Sequence, residues 1–148
     1  LETDIQLVAC NLANEEYGVD IRYVQEIIRL LDITRVPHAP HFIEGVINLR
    51  GMVIPVLDLR TLFNKSPRSN TEATRIIIIN AEEVLLGIIV DSVSEVITLP
   101  KSQIEPAPTV SNNQNSTYFG GVGKLGERLL ILLNIEEILN AVTNYRNP

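Results

Sequence analysis

This 148-residue sequence predicts a mainly β protein built as two pseudo-repeated lobes, each a small five-stranded β-barrel with short helices. Three observations predict it. Ile and Val, 19 and 14, together outnumber the 18 Leu, and they fall in short blocks such as Ile76–Ile79, the pattern of strands rather than of long helices. Four sequence blocks occur twice in the same order, which is the mark of a duplicated unit. Each copy then carries five short strand patterns, too many for one flat sheet of this size and suited to a small barrel.

The duplication is read directly. Leu7-Val8-Ala9-Cys10-Asn11 with Tyr17-Gly18-Val19 aligns at an offset of 69 residues on Ile76-Ile77-Ile78-Ile79-Asn80 with Leu86-Gly87-Ile88. Val24-Gln25-Glu26-Ile27-Ile28 matches Val93-Ser94-Glu95-Val96-Ile97 at the same offset, and Pro37-His38-Ala39-Pro40 matches Glu105-Pro106-Ala107-Pro108 at 68. At 76, Gly45–Leu49 and Val53–Leu59 match Gly121–Leu125 and Leu129–Ile135. Residues 1–148 are therefore expected as one domain, with lobes over about 14–73 and 74–148 and the N-terminal strand a candidate for exchange onto the second lobe.

Element by element, Ile5–Asn11 and Glu16–Asp20 read as a hairpin. Asp20 is a fitting N-cap for a helix with Ile21, Val24, Ile27 and Leu31 on one face. Ile33–Val36 returns as a strand. Val46–Leu49 and Val53–Leu57 form a tight hairpin, with Gly51 supplying the positive φ its turn requires. Pro55 lacks an N–H, which predicts an edge or a bulge there. The polar stretch Asn64–Thr74, with Pro67, reads as the linker. The second copy repeats the plan with Arg75–Asn80, Val84–Val90, a turn around Asp91–Glu95, Val96–Leu99, Tyr118–Leu125 and Arg128–Leu133, and Ile135–Val142 closes it as a short helix.

Charge narrows the function. Eighteen acidic against 12 basic residues give a net charge of −6 with no Lys/Arg run, so a nucleic-acid backbone is not the expected partner. The longest apolar run, Val84–Val90, is far short of the ~20 residues of a membrane span, and no membrane insertion is expected. One cysteine, Cys10, cannot form an internal disulfide and suits a reducing compartment. The sequence opens on Leu1 and its only methionine is Met52, which implies that the native start lies upstream.

No motif supplies a complete catalytic set, so the expectation is a non-enzyme with no cofactor, no metal and no small-molecule substrate. Gly121-Val122-Gly123-Lys124-Leu125-Gly126 spells G-x-G-x-x-G, but a strand rather than a helix follows it. Cys10 lies in an apolar strand, and the paired glutamates Glu15-Glu16, Glu82-Glu83 and Glu136-Glu137 fall in turns or at a helix start. The rival is a small-barrel metal enzyme using His38, His41 and Glu44, which needs a fourth ligand that the sequence does not show. A duplicated acidic β protein without chemistry is better read as a binding module, with the crease between lobes as its groove. Arg50 stands at a hairpin turn matched by Gly126 in the second copy, so the shared architecture does not require it, and an arginine at such a tip suits a partner contact.

The segments Tyr17-Gly18-Val19-Asp20-Ile21, Val24-Gln25-Glu26-Ile27, Gly45-Val46-x-Asn48-Leu49-Arg50-Gly51, Ile54-Pro55-Val56-x-Asp58-Leu59-Arg60 and Gly87-Ile88-x-Val90-Asp91-x-Val93-x-Glu95-Val96 together resemble the CheW-like family of bacterial chemotaxis coupling domains. The resemblance runs through nearly the whole chain. It implies two intertwined SH3-like barrels and a non-enzymatic cytoplasmic adaptor, recruited to receptor arrays at the inner face of the membrane. Its implied partners are the regulatory domain of the CheA histidine kinase and the cytoplasmic tip of methyl-accepting chemoreceptors. By motif match, Ile21, Val24, Glu26, Gly87, Val93 and Val96 would face a receptor in the groove. Gly45, Asn48 and Arg50 would serve coupling to kinase and receptor. The same family domain also occurs as the C-terminus of a kinase or beside a receiver domain, while the short polar ending Ala141–Pro148 favours the free-standing adaptor.

Overall fold

The computed structural model describes residues 3–66, 69–106 and 116–146. The repeat match at Ala107-Pro108, Pro67 of the linker, and Asn147-Pro148 of the tail lie outside the described residues. The strands are β1 (Asp4–Leu12), β2 (Glu15–Asp20), β3 (Val24–Arg29), β4 (Ile43–Leu49), β5 (Met52–Asp58), β6 (Arg75–Ala81), β7 (Val84–Val90), β8 (Ser92–Pro100), β9 (Ile104–Glu105), β10 (Phe119–Leu125) and β11 (Arg128–Leu133). One α-helix follows the last strand of each copy, α1 (Leu59–Leu62) in the first and α2 (Ile135–Arg146) in the second. The protein is mainly β, as expected.

The strands form a six-stranded sheet, β8-β1-β2-β11-β10-β9, and a five-stranded sheet, β3-β6-β7-β5-β4. Neither sheet follows the sequence copies. The opening hairpin of the first copy, β1–β2, completes the sheet of the second, and β6–β7 completes the sheet of the first. The division near residue 73 drawn from the sequence is therefore not the division between sheets, and the exchange involves a whole hairpin in each direction rather than the N-terminal strand alone.

Inside this exchange the repeat is kept residue for residue. Ala9 faces Gly18 across β1–β2 as Ile78 faces Gly87 across β6–β7. The parallel ladders pair Leu132 with Gly18 and Val56 with Gly87. Each sheet also rolls up on itself. The chain leaving β3 returns to pair Thr34 with Val46 on β4, the opposite edge, and the chain leaving β8 returns as β9 beside β10. One bridge in the first case and two residue pairs in the second join the roll, so neither has a full closing ladder.

Among the described residues three apolar clusters form the core. Leu7, Ala9, Ile97, Leu99, Leu130 and Leu132 line the inside of the six-stranded roll, and Ile47, Ile54, Val56, Ile76, Ile78 and Ile89 that of the five-stranded one. The largest cluster lies between the sheets. It takes Val8, Cys10 and Val19 from one exchanged hairpin, Ile77, Ile79 and Ile88 from the other, and Ile138, Leu139 and Val142 from α2. Alternate residues of β1 and β6 thus serve two cores, which is why these strands read as unbroken apolar runs.

Several local expectations are corrected. Asp20 does cap the next turn, its Oδ1 accepting from Arg22 N–H at 3.0 Å, but only a 3-10 turn, Ile21–Tyr23, forms before the chain becomes β3. The β-branched Val24, Ile27 and Ile28 gain a ladder with β6 that a lone helical turn could not match. Ile33–Val36 provides one bridge rather than a strand, since Pro37 ends any ladder directly after it. The turn expected at Asp91–Glu95 is mostly strand, as β8 begins at Ser92. Pro55 is on an interior strand, but the ladder from β5 to β7 starts one residue later, at Val56, so the missing N–H falls outside it.

Candidate partner-binding surface

Arg50 and Gly51 form the two-residue turn between β4 and β5, with φ of 50° and 86° and Leu49 paired to Met52. Two positive φ values in succession give a turn whose twist matches the flanking strands. Asn48 secures it, its Oδ1 accepting from Gly51 N–H at 2.9 Å. The Arg50 side chain, 67% exposed, forms an ion pair with Glu26 on β3. Because β3 and β4 are the two ends of the five-stranded order, this pair spans the mouth of the roll. An exposed pair contributes about 0–1 kcal/mol. Its value is therefore in holding a guanidinium and a carboxylate in fixed positions at the surface.

Gly45 acts behind this surface. It sits at the bulge in the β4–β5 ladder with φ of 155°, and a Cβ there would stand 2.2 Å from the carbonyl oxygen of Thr34. Only glycine lets the Thr34 bridge close against β4.

The residues expected in the groove divide into three kinds. Ile21, 36% exposed in the 3-10 turn between β2 and β3, and Val96, 51% exposed on β8, are surface apolar side chains. Val24 and Val93 are half-buried against the cluster between the sheets. Gly87 is buried in a strand interior, where a Cβ would lie 3.0 Å from Ile76 Cγ2 and 3.1 Å from Val56 Cγ2, so it shapes packing and presents nothing to a partner. The crease itself is occupied by core side chains. What it can offer is its rim.

A charged cluster on the other sheet is centred on Arg128, which no sequence motif singles out. Arg128 on β11 donates to Glu16 through Nη2 at 2.7 Å and Nε at 3.1 Å, and to Glu95 on β8 through Nη1 at 3.3 Å. The hydrogen bond from Arg128 holds the Glu16 carboxyl below the usual carboxylate range. Glu95 is the repeat equivalent of Glu26, so both rolls tie a hairpin arginine to the same glutamate position. The arginine sits two residues later in the second copy, at the equivalent of Met52. A position-by-position comparison sees only that Arg50 became Gly126, because it cannot register that a long side chain reaches the same carboxylate from further along.

The residues of the enzymatic alternatives are placed as follows. Burial, with a smaller contribution from the Asp91 charge, pushes the Cys10 thiol up to about 12, so it supplies no thiolate near neutral pH. His38, His41 and Glu44 border an open cavity of about 430 Å³. Among the described residues no group of three or more His, Cys, Asp or Glu is placed to hold a metal ion. No helix among them is long and apolar enough to cross a membrane.

Comparison with known proteins decides the family. The sequence profile of the CheW-like domain matches residues 6–143. The chain belongs to the CheW-like family. This CheW-like chain is 45% identical over 130 residues to the chemotaxis protein CheW of Klebsiella aerogenes, covering 88% of itself and 78% of that protein. It is 34% identical over 140 residues to the chemotaxis protein CheW of Bacillus subtilis, covering 95% and 90%. Its structure superposes on the crystal structure of the scaffolding protein TtCheW from Thermoanaerobacter tengcongensis with a TM-score of 0.82 at 38% identity, over 88% of this chain and 84% of that one.

Proposed function

We propose that this CheW-like chain is a non-enzymatic chemotaxis adaptor that couples the cytoplasmic tips of methyl-accepting chemoreceptors to the regulatory domain of the CheA histidine kinase, at the inner face of the membrane. The observation that carries this reading is the structural match to scaffolding protein TtCheW over 88% of the chain. An adaptor without chemistry can alter a kinase only by holding two partners together or by binding one partner state better than another, which requires separate surfaces. Arg50, at the β4–β5 turn of one sheet and paired with the half-buried Glu26, and Val96, on the other sheet, are both exposed and supply two candidate surfaces.

The test is kinase autophosphorylation reconstituted with receptor, kinase and adaptor. Val96→Asp replaces a half-exposed side chain and leaves the core alone, whereas Val93 packs on the central cluster and would confuse binding with stability. Arg50→Ala and Val96→Asp, both verified as folded, are expected to reduce kinase activation at ordinary adaptor concentration. Full activation by both variants would refute these surfaces, and no activation by the parent protein would refute the adaptor reading itself.

A further inference from the structure

The chain passes between the two sheets at equivalent points of the repeat, from β2 to β3 at Arg22 and from β7 to β8 at Asp91. Each point faces the start of a helix that follows the last strand of a copy. The offset of 69 pairs Arg22 with Asp91, and the offset of 76 pairs Arg60 of α1 with Glu136 of α2. Both crossovers therefore carry one cation and one anion, with the signs reversed.

They are joined very differently. Arg60 is 6% exposed, and its Nε donates to Asp91 Oδ1 at 3.0 Å while Nη2 pairs with Oδ2 and Nη1 donates to the Ser66 carbonyl at 3.0 Å. Asp91 in turn accepts from Ala13 N–H at 3.0 Å, and its own N–H donates to the Asn11 carbonyl at 3.0 Å. This one ion pair ties α1, the β7–β8 junction and the β1–β2 turn together, across both sheets. At the other crossover the Arg22 side chain, in the 3-10 turn, is 77% exposed and turns back to Asp20 at the end of β2, at 2.8 Å. Glu136 accepts from Tyr23 Oη at 3.3 Å. Arg22 and Glu136 occupy the clamp positions but do not pair: a single exposed, uncharged-donor bond from Tyr23 joins α2 to this crossover where a buried bidentate ion pair joins α1 to the other.

We infer that the Arg60–Asp91 crossover is the fixed point between the two sheets and the Arg22–Glu136 crossover is the hinge about which their relative angle changes. Buried charge-assisted bonds shared with backbone resist local opening, whereas the local Arg22–Asp20 contact and the exposed Tyr23–Glu136 bond, with the apolar packing beneath them, resist a change of inter-sheet angle less. Given the adaptor reading, such a hinge would vary the spacing between Arg50 on one sheet and Val96 on the other.

The repeat supplies the test, because Arg22→Asp with Glu136→Arg writes the clamp into the second crossover. Spin labels at Val53 and Leu129, both exposed and on different sheets, report the inter-sheet distance in the full chain, with buried Cys10 left unlabelled. The expected results are a distance distribution that narrows in the double variant, and a double variant that melts higher than the two single variants predict together. A parent distribution already as narrow as that of the double variant overturns the hinge. A folded double variant with no favourable coupling overturns the equivalence of the two crossovers. Hydrogen exchange in the unmodified protein decides the matter if the variant does not fold. The amides of Val24 and Ile138, bonded to Ile21 and Asn134 carbonyls beside the proposed hinge, should open at least about tenfold more often than those of Ala13 and Asp91 at the clamp. One common rate for all four overturns the proposal.

Discussion

Cys10 and Gly45 show how far a single residue's environment fixes its behaviour. Cys10 has no exposed surface, and a thiol held up to about 12 is protonated at any pH at which the protein is handled. Native protein at pH 8 should therefore leave a disulfide reagent such as dithionitrobenzoate unreacted for hours, and denatured protein should react at once with one equivalent. Glycines at 45 and 51 make a second contrast. Alanine at 45 would drive Cβ to 2.2 Å from the Thr34 oxygen, while at 51 nothing lies within 4 Å and the only cost is a φ of 86°. Urea unfolding should show Gly45→Ala losing about 3 kcal/mol or more. Gly51→Ala should lose about 1 kcal/mol. Both glycines stand in the Gly45–Gly51 segment that carries the family resemblance, yet the sequence alone does not tell which is fixed by a neighbour and which by its own backbone.

At the scale of elements, β11 is tied to β2 and β8 by Arg128, and the arrangement makes a pH prediction. The Glu16 carboxyl is held below its ordinary range by the Arg128 hydrogen bond, so the stabilisation it provides is present above the ordinary carboxylate range and lost as pH falls through the folded-state value. Asp58 works in the opposite direction, because burial raises it and its charged form is the disfavoured one. The melting temperature of Arg128→Met should therefore decline less between about pH 5 and pH 3 than that of the parent, a difference thermal scans at several pH values would read. Glu16 is solvent-accessible enough that the effect should be modest and should shrink in high salt. Elements whose hydrophobic pattern is local were legible: Val84–Val90 and Arg128–Leu133 are strands with the bounds read from the sequence. The segment after Asp20 reads as a helix in sequence because Ile21, Val24, Ile27 and Leu31 fit a helical face, while the partner that makes it a strand, β6, lies about 50 residues away in sequence.

For the whole molecule, the hairpin exchange predicts how the protein tolerates a cut. With a protease site engineered between Asn70 and Thr71, cleavage separates β1–β5 from β6–β11, yet each sheet draws strands from both pieces. The pieces should migrate as one species in gel filtration and part only in denaturant, and separation under native conditions would contradict the exchanged topology. The Arg60–Asp91 ion pair holds a buried guanidinium, and Asp91→Ala should lose about 3–5 kcal/mol by leaving that charge without its carboxylate. By itself the sequence determined the β class, the twofold repeat with its offsets, most strand positions, the family, and the turn that displays Arg50, because each of these is written in local spacing or in self-similarity. Only the tertiary structure decided that the opening hairpins trade places, that Gly87 is walled in while Val96 is exposed, and that Arg128 repeats the role of Arg50 from two residues away. Those depend on which surfaces bury against which, and a long side chain or an exchanged hairpin satisfies the same contact from more than one place in the chain.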